Sequence, residues 1–237
     1  MDIQLSSEIL TAGERNYKFP APDGSEGVGY FALNGRESKD AIVLLSEWWG
    51  LNQAIMETAE TFAKQGFAVL VVDFYRGKNC DSRESAGHLK AGLDFANACN
   101  DIKAAARDLK SKGYGKIGVT GFCMGGALAI AAVTNGADEF SGCAPYYGVP
   151  DLTKFDIKSV KVPILAHFGT LDQHMGFSDP ETAHRLEALA KEAGINFTLK
   201  MWEGGKHAFM NRARQDAYEP SIAEPALKMT VDFFNSL

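Results

Sequence analysis

Apolar residues along this chain fall into two kinds of segment, and their alternation dictates the architecture. Ala41-Ile42-Val43-Leu44-Leu45, Phe67-Ala68-Val69-Leu70-Val71-Val72, Ile117-Gly118-Val119-Thr120 and Pro163-Ile164-Leu165-Ala166-His167-Phe168 are near-continuous apolar runs without period-two alternation. Such runs mark strands covered on both faces. Between them the spacing becomes helical. Asn52 to Gln65 places Ile55, Ala59, Phe62 and Ala63 on one face and stops at Gly66. A polar helical region is expected from about Ser82 to Leu93, and a longer amphipathic helix from Asp94 to Lys112. Helices are also expected at Ala127–Ala132, Glu181–Ala193 and Ser221–Phe234, with strands near Phe140–Ala144 and Asn196–Met201. Tyr17–Phe19 and Val28–Leu33, separated by Pro20, Pro22, Gly24 and Gly27, read as an edge hairpin. Strands alternating with helices imply an α/β fold with a mostly parallel sheet, helices on both faces and right-handed crossovers. No repeat or linker interrupts the pattern, so one domain is expected over residues 1–237.

One stretch departs from simple patterning. Gly121-Phe122-Cys123-Met124-Gly125-Gly126 follows a strand and opens into a helix. That is the layout of a nucleophile elbow, written Gly-x-Cys-x-Gly. The turn is so tight that the residues two before and two after the nucleophile leave no room for a Cβ, and glycine fills both places. Cys123 would stand above the sheet at a helix N-terminus, where the partial positive charge favours a thiolate. On its own the motif fits equally a buried cysteine in a Gly-rich turn.

Composition narrows the partners. Over 237 residues, 46% hydrophobic and 23% charged residues are ordinary globular values. A net charge of −6 and a pI near 5.4 offer no basic field for nucleic acid. The N-terminal residues carry no secretion signal, and no apolar run approaches a bilayer span, so no membrane partner is expected. Four cysteines, Cys80, Cys99, Cys123 and Cys143, occur singly with no zinc-like spacing, so no metal is expected and a reduced, cytoplasmic protein is the default.

In parallel sheets the chemistry gathers beyond the C-terminal ends of the strands. Glu47 follows the first buried run, Arg76 the second, Cys123 the elbow strand, Asp172 the run ending at Phe168, and His207 the strand ending near Met201. Nucleophile, acid, then histidine is the order expected of a hydrolytic triad. Among the other histidines, His167 lies in an apolar strand pattern and reads as core. His174 reads as a loop residue, and His88 and His184 as surface. Cys80, Cys99 and Cys143 lack an acid–base partner. Trp48, Trp49, Tyr75 and Tyr146 fit a substrate wall and a packed core equally well.

With those residues in view, the chain resembles the dienelactone hydrolase family of α/β-hydrolases over nearly its whole length. The resemblance rests on Glu47 in Ser-Glu-Trp-Trp-Gly, Arg76 in Asp-Phe-Tyr-Arg-Gly, Cys123 in Gly-Phe-Cys-Met-Gly-Gly, Asp172 in Gly-Thr-Leu-Asp and His207 in Gly-Lys-His-Ala-Phe; Tyr146-Tyr147-Gly148 is also similar. It implies a single-domain α/β-hydrolase fold and a Cys123–His207–Asp172 triad that opens a small carboxylated lactone without cofactor. Backbone N–H groups of Met124 and Trp48 would form the oxyanion hole. The resemblance also implies that Glu47 accepts the thiol proton of Cys123 in the resting enzyme and pairs with Arg76 when substrate arrives. Arg76, Arg212 and Tyr146 are the candidate substrate-binding residues. One departure bears on substrate: the family's carboxylate-binding arginine, a few residues after the histidine, is Asn211 here, with Arg212 one place later. A broader carboxylesterase or thioesterase is therefore a second reading. A catalytically idle thiol protein that binds a small acid or senses oxidant is a third. The partner expected is a small lactone or ester, and the assembly a monomer or weak homo-oligomer.

Overall fold

The computed structural model describes residues 11–35, 38–135 and 138–237. Eight strands, β1 (Tyr17–Pro20), β2 (Glu26–Ala32), β3 (Ala41–Leu45), β4 (Ala68–Val72), β5 (Ile117–Phe122), β6 (Gly142–Tyr146), β7 (Ile164–Gly169) and β8 (Phe197–Trp202), form one sheet in the order β1-β2-β4-β3-β5-β6-β7-β8. The β1–β2 and β2–β4 pairings are antiparallel and every later pairing is parallel. The expected edge hairpin is therefore present. Among the described residues, six α-helices pack around the sheet: α1 (Gln53–Lys64), α2 (Arg83–Ala91), α3 (Phe95–Ser111), α4 (Met124–Ala132), α5 (Pro180–Glu192) and α6 (Pro220–Ser236).

The continuous apolar runs have the cause that their pattern implied. In β3, Ala41, Val43 and Leu45 face one core, while Ile42 and Leu44 face the other. In β4 the same alternation sends Ala68, Leu70 and Val72 to one side and Val69 and Val71 to the other. The first core is covered by α3 and α5 through residues such as Ile102, Leu109, Leu186 and Ala190. The second is covered by α1 and α6 through Ile55, Phe62, Ala226 and Phe234. A sheet buried on both faces needs apolar side chains at every position, which is why helical and strand segments separate so cleanly in the sequence.

One boundary that bears on the site differs from expectation. Tyr146, expected in a turn, is the last residue of β6 and pairs with Phe122 on one side and His167 on the other. Cross-strand pairing at the sheet centre extends β6 past its apolar run, a contribution that local propensity does not contain. His167 is fully buried as expected, its ring nitrogens meeting Thr230 Oγ1 at 3.0 Å and Trp202 Nε1 at 3.1 Å. All four cysteines are free, and among the described residues no helix is long and apolar enough to cross a membrane.

Candidate active site

The site is assembled at the C-terminal edge of the sheet, where β3, β5, β7 and β8 release their chains. At the elbow, β5 ends at Phe122 and α4 begins at Met124, leaving Cys123 between them at φ 54° and ψ −115°. A non-glycine residue in that region is strained by roughly 1–3 kcal/mol, and such strain persists only where the surroundings hold it. The flanking glycines explain how. A Cβ on Gly121 would lie 2.5 Å from the Gly125 carbonyl oxygen, and one on Gly125 would lie 2.5 Å from both the Leu45 and Ser46 carbonyl oxygens. Strand β3 thus runs hard against the first turn of α4, which brings the chain at Leu45–Ser46 beside the elbow. Met124 is the first helical residue, so its N–H has no partner within the helix.

His207 follows β8 and reaches the thiol from the other side. Its Nδ1 lies 2.7 Å from Asp172 Oδ2, and Cys123 is near enough to favour the charged ring. Asp172 sits in the turn after β7, its side chain wholly buried. Burial opposes a charge on either partner. Their mutual hydrogen bond outweighs that opposition, holding the Asp172 carboxyl below its usual range. For His207 the penalty of burial is likewise overcome, first by Asp172 and then by Cys123, and its pKa is pushed up to about 10. The structure therefore gathers Cys123, His207 and Asp172 at one place, with His207 bonded to Asp172, and the base favours its protonated form there.

Glu47 is buried nearby, but its partners differ from those implied by the family resemblance. Asn211 Nδ2 donates to Glu47 Oε2 at 2.9 Å, and the Tyr147 hydroxyl donates to Oε1 at 3.4 Å. No hydrogen bond links Glu47 to Cys123 among the described residues. Burial pushes the Tyr147 hydroxyl well above the usual tyrosine range, with Glu47 and Cys123 adding to it, so this group stays a donor. Asn211 thus occupies the place at Glu47 that the sequence reading gave to an arginine.

Arg76 is not at this site. Its guanidinium makes a two-pronged contact with Asp101, both arms at 2.8 Å, and a third bond to Asp23 at 2.7 Å. The expected pairing of Arg76 with Glu47, and its expected contact with substrate, are both corrected. The backbone at Arg76 is left-handed, φ 52°, and directs the side chain toward α3 instead of over the thiol. Tyr146 is a second correction. It is fully buried, with its hydroxyl on Thr230 Oγ1 at 2.6 Å and the Ala226 carbonyl at 3.0 Å, so it faces α6 and not the site. Its neighbour Tyr147 faces the site, with its ring centroid 5.1 Å from that of His207. Tyr147 lies just past the end of β6 with a left-handed backbone, φ 37°, and the paired tyrosines give no signal of which is which.

A cavity of about 130 Å³ lies between α1 and α6. Glu47, Tyr147 and Phe122, the residue before Cys123, line it, and the segment Met210–Ala213 walls it. Arg212 lines it and makes no ion pair among the described residues. Ser46 Oγ and Trp49 Nε1, on two more lining residues, are buried without a hydrogen-bond partner.

Three residues at the triad were given no role there by sequence reasoning. Ser178 Oγ lies 3.1 Å from His207 Nδ1 and helps to hold the Asp172 carboxyl below its usual range. Tyr147 contacts both His207 and Glu47. His174, read as an ordinary loop histidine, has Nδ1 at 3.0 Å from Asp172 Oδ1. Asp172, His174 and His207 offer ligand atoms within 4.8 Å of one another, a spacing that a metal ion could span. An ion there would displace the protons that join Asp172 to both rings. Asp179, the obvious alternative acid, is occupied as the N-cap of α5, accepting from Thr182 N–H.

Residues 28–237 match the model of the dienelactone hydrolase family. The chain is 34% identical over 203 residues to protein usf of Aquifex pyrophilus, covering 81% of this chain and 86% of that one. It is 31% identical over 232 residues to a carboxymethylenebutenolidase of Pseudomonas putida, covering 90% and 93% of the two chains. Among solved structures, a dienelactone hydrolase-like promiscuous phosphotriesterase from metagenomic libraries superposes with a TM-score of 0.81 over 93% of this chain and 97% of that one. At 20% identity, that likeness speaks for the shared fold.

Proposed function

Because this chain belongs to the dienelactone hydrolase family and is a hydrolase of ester and lactone bonds, we propose that it works as one domain through Cys123, His207 and Asp172, by way of a thioacyl-enzyme. The observation that carries this reading is the His207 ring bonded to a fully buried carboxylate, with the strained cysteine near enough to favour the charge on the same ring. His207 Nδ1 is taken by Asp172, which leaves Nε2 for the thiol. With the thiol proton on His207, the Cys123 sulfur attacks the carbonyl carbon of the substrate. Charge then develops on the carbonyl oxygen, and we assign its stabilisation to the N–H groups of Met124 and Trp48. Collapse of the tetrahedral adduct breaks the C–O bond, and the departing oxygen takes the proton from Nε2. In a lactone that oxygen stays tethered to the acyl group. Water then gives a proton to His207 and its oxygen to the thioester carbon, releasing the acid and restoring the thiol. Asp172 holds the ring in one tautomer and stabilises its charged form throughout.

The substrate we propose is a small lactone or ester with a carboxylate, with Arg212 at the cavity as its charge partner. Arg76 cannot serve while Asp101 and Asp23 hold it. The second reading, a broader esterase, is favoured by a specific observation. Glu47 is already held by the neutral Asn211, so the site needs no substrate charge to draw Glu47 away from the thiol.

The test uses a carboxylated lactone, its methyl ester and an aryl ester with the wild type and Arg212→Ala. Arg212→Ala is expected to raise KM for the acid by roughly ten- to a hundred-fold while leaving both esters unchanged, the value of one charge-assisted contact. Equal KM values for all three substrates in both proteins would discard the carboxylate reading and leave the broader esterase. Full turnover after iodoacetamide treatment would discard the cysteine mechanism itself.

A further inference from the structure

The acid of the triad carries two imidazoles. His207 takes Asp172 Oδ2. The other oxygen, Oδ1, accepts from both the backbone N–H and the ring Nδ1 of His174, each at 3.0 Å. The backbone contact is an ordinary Asx-turn that any residue at that place could make. The ring contact is not. The His174 side chain is 59% exposed, and folding it back onto a buried acid forgoes rotamer freedom in water. The folded-back ring then packs against His207 with centroids 4.0 Å apart. The carbonyl of the same residue accepts the N–H groups of Phe177, Ser178 and Asp179. This brings Ser178 round so that its hydroxyl reaches His207 Nδ1. One loop residue therefore braces both polar neighbours of that nitrogen, the acid and the serine.

We propose that His174 is a positioning residue of the reaction, its ring fixing Asp172 Oδ1 so that Oδ2 stays aligned on His207. This rests on the reading of Cys123, His207 and Asp172 as the reacting set. An aspartate side chain pivots about two torsions, and Oδ2 is held by a single bond to a ring that must itself move protons. A second anchor on Oδ1 removes that freedom before substrate arrives, which is the preorganisation that fast proton transfer requires.

The test compares His174→Phe, which keeps a flat ring against His207 without a donor, with His174→Asn, whose amide can donate from nearly the same place. The Phe variant is expected to lose about tenfold in kcat with KM unchanged, a fraction of the roughly ten-thousand-fold that a misaligned triad acid can cost. The Asn variant should recover most of that loss. The pH profile supplies a readout that a packing role would not move. The groups facing His207 are Asp172, His174, Cys123, Ser178 and Tyr147, the last bearing Glu47 on its hydroxyl. Taking a donor from Oδ1 leaves more charge on Oδ2, so His207 keeps its proton to higher pH. The limb of kcat/KM that reports His207 should therefore move upward in the Phe variant and not in the Asn variant. A Phe variant with wild-type kcat and pH profile overturns the proposal. So does a loss that Asn fails to recover. Asp172→Asn, assayed beside them, separates the proposal from its premise: wild-type turnover there would remove the triad reading itself, whereas an inactive Asp172→Asn beside a fully active His174→Phe removes only the role of His174.

Discussion

Asp172→Asn is the substitution on which the site stands or falls, because it preserves shape while removing one charge. The bond it alters joins a wholly buried carboxylate to a ring that is 13% exposed, so solvent screens it little. A rise in the His207 pKa from 6.5 to about 10 corresponds to about 5 kcal/mol favouring the imidazolium. Cys123 shares in that rise, so roughly half, 2–3 kcal/mol, is assigned to Asp172, as an order of magnitude. The sign follows from linkage. A base whose pKa is raised by folding contributes stability that is fully present below its unfolded value and is lost as pH rises through the folded value. Wild-type stability should therefore decline between about pH 6.5 and 10, and Asp172→Asn should show a much flatter decline. Urea unfolding followed by circular dichroism at pH 6, 8 and 9.5 measures the difference. In parallel, kcat should fall by about ten-thousand-fold with KM near wild type, because the asparagine can stabilise the wrong ring tautomer. A constant stability gap between the two proteins across this pH range would show that Asp172 does not sustain the charge on His207. The account of the base would then be wrong.

Three further outcomes follow from the same geometry. Cys123→Ala should fold normally with hydrolysis at background, and Cys123→Gly should also be inactive yet more stable by about 1 kcal/mol in thermal unfolding, since glycine accepts φ 54° without strain. A stability loss in the glycine variant would contradict the strained elbow. Arg76→Ala should destabilise by about 1–2 kcal/mol, discounted for the exposure of the guanidinium, by stranding the buried Asp101. It should change turnover of charged and neutral substrates alike, and selective loss on the acid would return Arg76 to the site. His167, whose pKa burial lowers to about 3, gains its proton on unfolding, so stability should fall as pH drops below about 6.5, by up to about 2 kcal/mol at pH 5. His167→Gln should lack that slope in denaturant melts, and an unchanged slope would show that another group sets it.

Much of this protein is legible from the chain alone. Doubly covered strands require unbroken apolar runs, amphipathic helices require a period near 3.6, and the elbow admits only glycine on either side of Cys123. Those are local or steric demands, so β3, β4, β5 and β7 and the positions of Cys123, Asp172 and His207 at strand ends could be read without coordinates. Partner choice could not be. Arg76 follows a buried strand just as Glu47 does, yet its left-handed backbone turns it to Asp101 and Asp23, while Asn211 takes the place at Glu47. Tyr146 and Tyr147 are chemically identical, equally buried neighbours, and only the left-handed backbone just past β6 turns the second toward the base. His174 looks like any loop histidine until the turn after β7 folds its ring onto the acid. Each of these depends on the direction of a side chain across segments distant in sequence. Direction is set by tertiary packing, and spacing along the chain does not encode it.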